Sequence, residues 1–395
     1  MTNEEMSVAV VGAGISGLTV AAALIRAGID CQVYEQAPEL GEVGAGIQIS
    51  PNASRILHRL GLQRRLRSVA VRPEALEMRR WDDNAVLMRN VLGEACASMY
   101  EAPYYSVHRA DLHRCLLELL PEGRVHLGRE CVAVIDRPDG AELRFADGSS
   151  VTADVVIGAD GIHSKIRQTM VADRPRFSGQ TIYRGLIRAD RLAELLIEPK
   201  VIIWLGPGQH CVCYPISSGR LISFAATTPA EGDWHAESWS AEGRVDDLLA
   251  AYQGWNDEIT RVLKAAETVH KWALHDRDTL DRWSGSRVTL VGDAAHPMLP
   301  FGAQGANQAI EDAAALAVCL RGATPQDLTG RLRRYEEIRR PRTETVHKTM
   351  RENARNHHYD DGAQQQRRDE HMNDKWGLRG QEWLFGYDAE LAAAS

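Results

Sequence analysis

Two glycine-bearing segments, far apart in the chain, constrain its fold more than any other feature. The first, VAVVGAGISGLTVAAALIRAG (8–28), reads as a strand, a tight turn and a helix. The second, RVTLVGDAAHPMLPFGAQGANQAIEDAAALA (287–317), is a strand running into Asp293, a proline-bearing loop, and a helix opening around Gly302, Gly305 and Asn307. In Gly12-x-Gly14-x-x-Gly17 the glycines allow the turn, a close backbone approach to a pyrophosphate, and close helix packing. The helix start that follows offers N–H groups and positive potential to phosphates. Glu35 ends the next strand, IDCQVYE (29–35), where a carboxylate accepts both ribose hydroxyls of an adenosine. A lone GxGxxG is a weak signal, and a chance glycine turn is its plain alternative. Strand, helix and acid in register make it a strong one. Together the two segments predict one long dinucleotide laid across a single folded unit.

Composition narrows the classes. The 395 residues are 44% hydrophobic and 25% charged, as expected of a globular chain with a sizeable core. Net charge is −8, which disfavours a nucleic-acid binder. The start, MTNEEMSVAVVG, is acidic and lacks a basic leader, so no secretory signal and a cytoplasmic setting are expected. Glycines interrupt the apolar run at 8–25, so no membrane span is expected there. Seven cysteines with no framework spacing suggest buried thiols in a reducing compartment. Cys211-x-Cys213 lacks a second ligand pair, and HHYDD (357–361) reads more simply as a polar tail than as a ligand cluster, so no metal is expected.

Strand and helix patterns organise the rest. A glycine-rich loop and a helix started by Pro51 and Asn52 occupy 42–62; strands follow over 71–100, and an amphipathic helix over 108–120. Residues 124–161 read as short strands around turns at Pro138-Asp139-Gly140 and Asp147-Gly148. Strand runs at 181–188, 200–205, 210–216 and 221–227 suggest an antiparallel sheet, followed by a helical stretch near 242–268. WALHDRDTL (272–280) leads to a buried strand at 287–292, then to helices at 304–321 and 328–350. The polar tail ends in Trp383, Leu384, Phe385 and Tyr387, which would dock on the body. This divides the chain into a discontinuous cofactor domain (1–70, 101–175, 270–355), a substrate domain (71–100, 176–269) and a tail (356–395).

A third motif, VVIGADGIHSKIR (155–167), is by itself only a strand ending in a turn at Asp160-Gly161. With GAGISG and GDAAHP (292–297) it completes a set that resembles the single-component (class A) flavoprotein aromatic hydroxylases, the para-hydroxybenzoate hydroxylase-like group, over residues 6–350. Within the group, GEVGAGIQISPNA, VHRADL, RFSGQTIYRGLI and WALHD look like salicylate hydroxylases, and the WLFGYD tail is similar to 6-hydroxynicotinate 3-monooxygenase. The resemblance implies an α/β fold: a Rossmann-like FAD-binding domain with an inserted antiparallel-sheet substrate domain and a helical C-terminal segment. It implies FAD as cofactor, NADH or NADPH as transient co-substrate, and O2 transfer to a small aromatic acid or phenol through a flavin C4a-hydroperoxide. A monomer or homodimer follows from the same likeness.

The resemblance also assigns residues. Gly12, Gly14, Ser16 and Gly17 would lie at the pyrophosphate, Glu35 and Gln36 at the ribose, and Val132 near the adenine. Arg109 would reach the flavin chain, Gly46 would lie alongside the flavin, and Asp160 would serve both FAD and the nicotinamide. Asp293 would hold the ribityl chain, with Pro300, Gly305 and Ala306 by the ring and His296 structural. Gln48, Pro300 and Phe301 would wall the substrate pocket. Hydroxynicotinate hydroxylases carry a histidine at the Gln48 position and another at the Phe301 position; this chain carries neither, which argues away from a pyridine carboxylate. His210, Val212 and Tyr214 alternate and so share one face of a strand. If that face is the pocket, His210 or Tyr214 binds or deprotonates a ring hydroxyl; the plain alternative makes Tyr214 a core aromatic. Hydroxylation or epoxidation of a larger natural product, a flavin reductase without oxygen transfer, and a non-enzymatic nucleotide sensor are the competing readings.

Overall fold

The computed structural model describes residues 6–41, 45–230 and 241–395, apart from the side chains of 195 and 196. The acidic start of the chain and the opening of the glycine-rich loop at 42–44 lie outside the described residues. Val8–Val11, fully buried, is the middle of a five-stranded parallel sheet ordered 288–290, 155–158, 8–11, 31–34, 125–126. Continuous burial is what a parallel strand covered on both faces requires, and it explains the unbroken apolar runs. The helix Ile15–Arg26 joins the first two strands and packs against the helix Gly305–Leu320. The two cofactor signals of the sequence are thereby neighbours in space. Strands 131–137, 140–145 and 150–153 form a small antiparallel sheet whose turns fall at Pro138-Asp139 and Asp147-Gly148, as the turn residues predict.

The second layer is an eight-stranded sheet ordered 242–243, 269–276, 176–188, 221–229, 209–216, 200–206, 75–80, 86–91. It is antiparallel except where Lys200–Gly206 runs parallel to Ala75–Arg80, and that pairing joins two distant chain segments in one sheet. Helices Val245–Ala251 and Asp257–Lys264 cover its outer face, burying Leu248, Tyr252, Ile259 and Val262 against Trp204, Phe224, Cys211 and Cys213. All seven cysteines are free and buried. Among the described residues, no helix is long and apolar enough to cross a membrane, and no group of three or more His, Cys, Asp or Glu is arranged to hold a metal.

Three local expectations differ from the structure. Gly46–Ile49, read as loop, pairs with Tyr105–His108, because Ile47 and Ile49 alternate along a short strand. Gly93–Tyr100, read as strand, is an alanine-bearing helix that buries Cys96 and Tyr100 one turn apart. The helix starting at Leu328 runs on to His357, so the histidines taken for a polar tail lie at its end. Beyond it the chain forms short helices at 363–370, 372–376, 382–385 and 389–394. The tail docks as expected, with Leu384 and Phe385 buried among Tyr100, Tyr104, Val346 and Met350.

Candidate active site

Between the two sheets lies a cleft of about 450 Å³, lined by part of the predicted cofactor set. Gly14, Ser16, Gly46, Arg109, Asp293, Pro300, Gly305 and Ala306 line it. Gly12 and Gly17 build the turn beneath. Gly12 has φ +102°, and a Cβ on Gly17 would collide with the Gly12 carbonyl oxygen. Ala159 of the GADG segment packs against both glycines, so the first and second motifs are one piece of structure. The Glu35 carboxylate accepts from the Ala13 N–H at 2.7 Å and the Ala37 N–H at 2.9 Å, at the rim of that turn. Three candidates lie away from the cleft wall. Gln36 is exposed on the following bend, and Val132 is 48% exposed on the small sheet. Asp160 turns back to cap the helix Lys165–Met170, accepting from Ser164 Oγ at 2.6 Å and Lys165 N–H at 2.8 Å.

The wall chemistry suits FAD. Helices Ile15–Arg26 and Gly305–Leu320 both begin at the cleft with no side-chain cap, leaving first-turn N–H groups for an anion. Ser16 Oγ is buried there without a partner, and the Cβ position of Gly14 opens onto empty space. Asp293 faces the cavity opposite Arg109; burial raises its pKa, and His296 and Arg109 pull it back. An acceptor in that setting fits a chain of hydroxyls. His296 itself is held by Asp312 (Nε2 to Oδ2, 2.6 Å) and is structural. Burial would raise the Asp312 pKa, but His296 and Arg339 hold its carboxyl down at about 2.

On the sheet side, His210, Val212 and Tyr214 all face the cleft, while Cys211 and Cys213 face the core behind. Tyr104 Oη donates to Gln48 Oε1 at 2.6 Å, and Gln48 also hydrogen-bonds Tyr214. Burial raises the Tyr214 pKa, and Arg184 opposes it. His210 lies 2.8 Å through Nδ1 from Nε2 of His358, with Thr227 Oγ1 at 3.1 Å from the same nitrogen. Burial first, then His358 and His357, depress its pKa well below 6.5, so the ring is neutral. A smaller chamber of 150 Å³ adjoins the cleft. The two share Gln48, His210, Val212, Pro300, Phe301 and Ala303.

Residues 5–350 match the FAD binding domain family. The chain belongs to that family. A 3-amino-4-hydroxybenzoate 2-monooxygenase of Streptomyces platensis, PtmB3, is 53% identical over 389 residues, covering 98% of each chain. A 3-amino-4-hydroxybenzoate 2-monooxygenase of Streptomyces cremeus is 46% identical, covering 100% of this chain and 98% of its own. The 6-hydroxynicotinate 3-monooxygenase of Bordetella bronchiseptica is 34% identical over 88% of this chain and 91% of its own. Among solved structures, a salicylate hydroxylase substrate complex superposes with TM-score 0.85 at 28% identity, covering 100% and 98% of the two chains. The protein is an FAD-dependent aromatic monooxygenase, and NAD(P)H is the reductant typical of its group.

For this FAD-binding-domain monooxygenase, sequence reasoning missed the residues that approach from outside the two motifs. His357, His358, Thr227 and Tyr104 were not singled out as site residues, yet each contacts His210 or Gln48. His357 continues the three- and four-residue spacing of buried positions along the long helix, and that spacing is readable in the sequence.

Proposed function

We propose that the protein hydroxylates a small benzoate bearing both an amino and a hydroxyl group, using O2 and NADH or NADPH, at a ring carbon beside the amino group. The observation that carries this reading is the buried, neutral His210 on the wall shared by cleft and chamber, with Nδ1 engaged by His358 and Thr227. The relatives at 53% and 46% identity act, by name, at position 2 of 3-amino-4-hydroxybenzoate. That carbon is next to the amino-bearing carbon and meta to the hydroxyl. Its electron density therefore comes from the amino lone pair, which must stay unprotonated. A neutral imidazole accepts an N–H hydrogen bond through Nε2 without placing a positive charge beside the amine.

Bound FAD supplies the redox and oxygen chemistry. The protein's residues bind, orient and shield. The start of the Ile15 helix, with Ser16, holds the pyrophosphate and Glu35 the ribose. Asp293 and Arg109 would hold the ribityl chain, and the Gly305 and Ala306 N–H groups would offer hydrogen bonds and positive potential to the ring. Val132 borders the adenine, and Asp160 acts by fixing the GADG turn. Pro300 and Phe301 keep water from the reacting carbon. The Tyr104–Gln48–Tyr214 chain orients the ring hydroxyl, and His210 polarises the amine.

The test is NADH oxidation by the purified holoprotein with 3-amino-4-hydroxybenzoate, 4-hydroxybenzoate, salicylate and 6-hydroxynicotinate, measuring product and peroxide together. Stoichiometric hydroxylation of the amino-bearing compound alone is expected. Coupled turnover of a compound without an amino group, with the amino compound inert, would overturn the reading.

A further inference from the structure

The 150 Å³ chamber has walls from three parts of the chain: Met78 and Ile203 from the large sheet, Met350 and His357 from the long helix, and Trp376 and Leu384 from the C-terminal helices. His357 is the unusual member. It is 4% exposed, and both ring nitrogens are buried with no hydrogen-bond partner. Its neighbour His358 is satisfied by His210, at 2.8 Å. Its ring neighbours are His210 at 5.2 Å, Trp376 at 5.9 Å and Phe301 at 6.4 Å between centroids. A neutral imidazole carries one donor and one acceptor, and folded proteins seldom leave such groups buried and unmet. Burial depresses the His357 pKa to about 3, with His358, Arg368 and Lys375 adding to the effect, so the ring is uncharged. An uncharged donor–acceptor pair on the wall of this chamber complements a ring hydroxyl or amino group, which offers both functions. The Lys375 side chain, 40% exposed and 3.8 Å from the Glu352 carboxylate, also lines the chamber.

We propose that His357 is a specificity-determining residue, hydrogen-bonding a hydroxyl or amino substituent of the aromatic substrate within the chamber that the C-terminal helices close. The inference rests on the substrate reading given above. It places a selecting element beyond the family's residues 5–350, at the end of the long helix and beside the C-terminal segment that Arg55 and Arg342 fasten to the body through the carbonyls of Tyr387, Trp383 and Leu384.

The test compares wild-type holoenzyme with His357→Phe, which keeps the ring and removes both nitrogens. Binding of 3-amino-4-hydroxybenzoate and of unsubstituted benzoate is followed by the change in flavin absorbance. The expected result is about a ten-fold rise in Kd for the substituted ligand, the loss of roughly one hydrogen bond, with the benzoate Kd unchanged. A role in packing alone would shift both ligands equally, so the ratio of the two constants is the decisive reading. His357→Gln, which keeps a donor and an acceptor, should restore part of the selectivity. If His357→Phe does not take up FAD, His357→Leu, which also removes both nitrogens, takes its place: a ratio shifted against the substituted ligand supports the inference, and an unchanged one overturns it. Equal ratios in wild type and His357→Phe, with FAD content intact, overturn this inference and leave the substrate reading standing. Failure of the wild-type holoenzyme to bind the amino-substituted acid overturns both.

Discussion

His357 closes a stripe that begins a full seven turns earlier. Leu332, Tyr335, Arg339, Thr343, Val346, Met350, Asn353 and His357 follow at steps of three and four along one helix, and every one is buried. The rhythm was there to be read, but its last members are polar, and composition argued for a tail. His210 and Tyr214 were legible because alternation in a strand needs no hydrophobic residue to declare a face. The histidine cluster has a measurable consequence. His358 is held at about 4 and His357 at about 3, chiefly by burial, and His210 lies well below 6.5 for the same reason. An unfolded chain takes up these protons near pH ~6.5. Between about pH 4 and 6.5 the unfolded state therefore binds more protons than the folded one, and stability rises with pH across that window before levelling off. The Tm should drop between about pH 7 and pH 5, and drop less in His358→Gln. Parallel Tm-against-pH lines for the two proteins would mean that His358 titrates normally in the fold.

At the scale of elements, the parallel β-α-β core was readable because its strands are buried on both faces and punctuated by glycine. The Gly46–Ile49 strand and the Gly93–Tyr100 helix were not, since each is short and owes its form to what it packs against. The glycine turn allows a prediction that separates folding from binding. At Gly17 a Cβ meets the Gly12 carbonyl oxygen, part of a backbone that Ala159 already crowds, so Gly17→Ala forces the strand and helix apart. Overpacking of this kind costs on the order of 1–3 kcal/mol. Gly14 has φ −73° and no heavy atom within 4 Å of its Cβ position, so Gly14→Ala leaves the protein itself unstrained and fills space where pyrophosphate belongs. Both variants should lose FAD, seen as a lower ratio of flavin to protein absorbance after gel filtration. Only Gly17→Ala should also lower the Tm of the apoprotein. Full FAD retention by Gly14→Ala would move the phosphate site elsewhere.

Across the whole molecule, one ionic cluster ties the cofactor loop to the tail. Arg339, fully buried, reaches Glu311 at 2.6 Å and Asp312 at 2.8 Å. Asp312 accepts from the Gly292 N–H at 2.9 Å and holds His296. Glu311 accepts from Asn52 at 2.6 Å and from Arg342, which stacks on Tyr387 at 4.2 Å and bonds the Trp383 and Leu384 carbonyls. Sequence patterns could not reveal it, because an Arg, a Glu and an Asp on helices read equally well as a solvated face. Replacing Arg339 by Met keeps the bulk and leaves two buried carboxylates with too little positive charge. Breaking a buried pair this way costs about 3–5 kcal/mol, more than the pair contributes against an apolar substitute. The Asp312 pKa, now about 2, should rise once Arg339 is gone, so the stability lost in Arg339→Met should be largest near neutral pH and shrink as acid protonates the stranded carboxylate. Denaturant melts of Arg339→Met and of Arg339→Met with Glu311→Gln and Asp312→Asn check the argument. The single variant should be the less stable of the two, because the triple removes the stranded charge along with its partner. If the single variant instead unfolds within about 1 kcal/mol of wild type, the cluster is not what holds the tail to the cofactor loop, and the aromatic contacts of Phe385 and Tyr387 must do so.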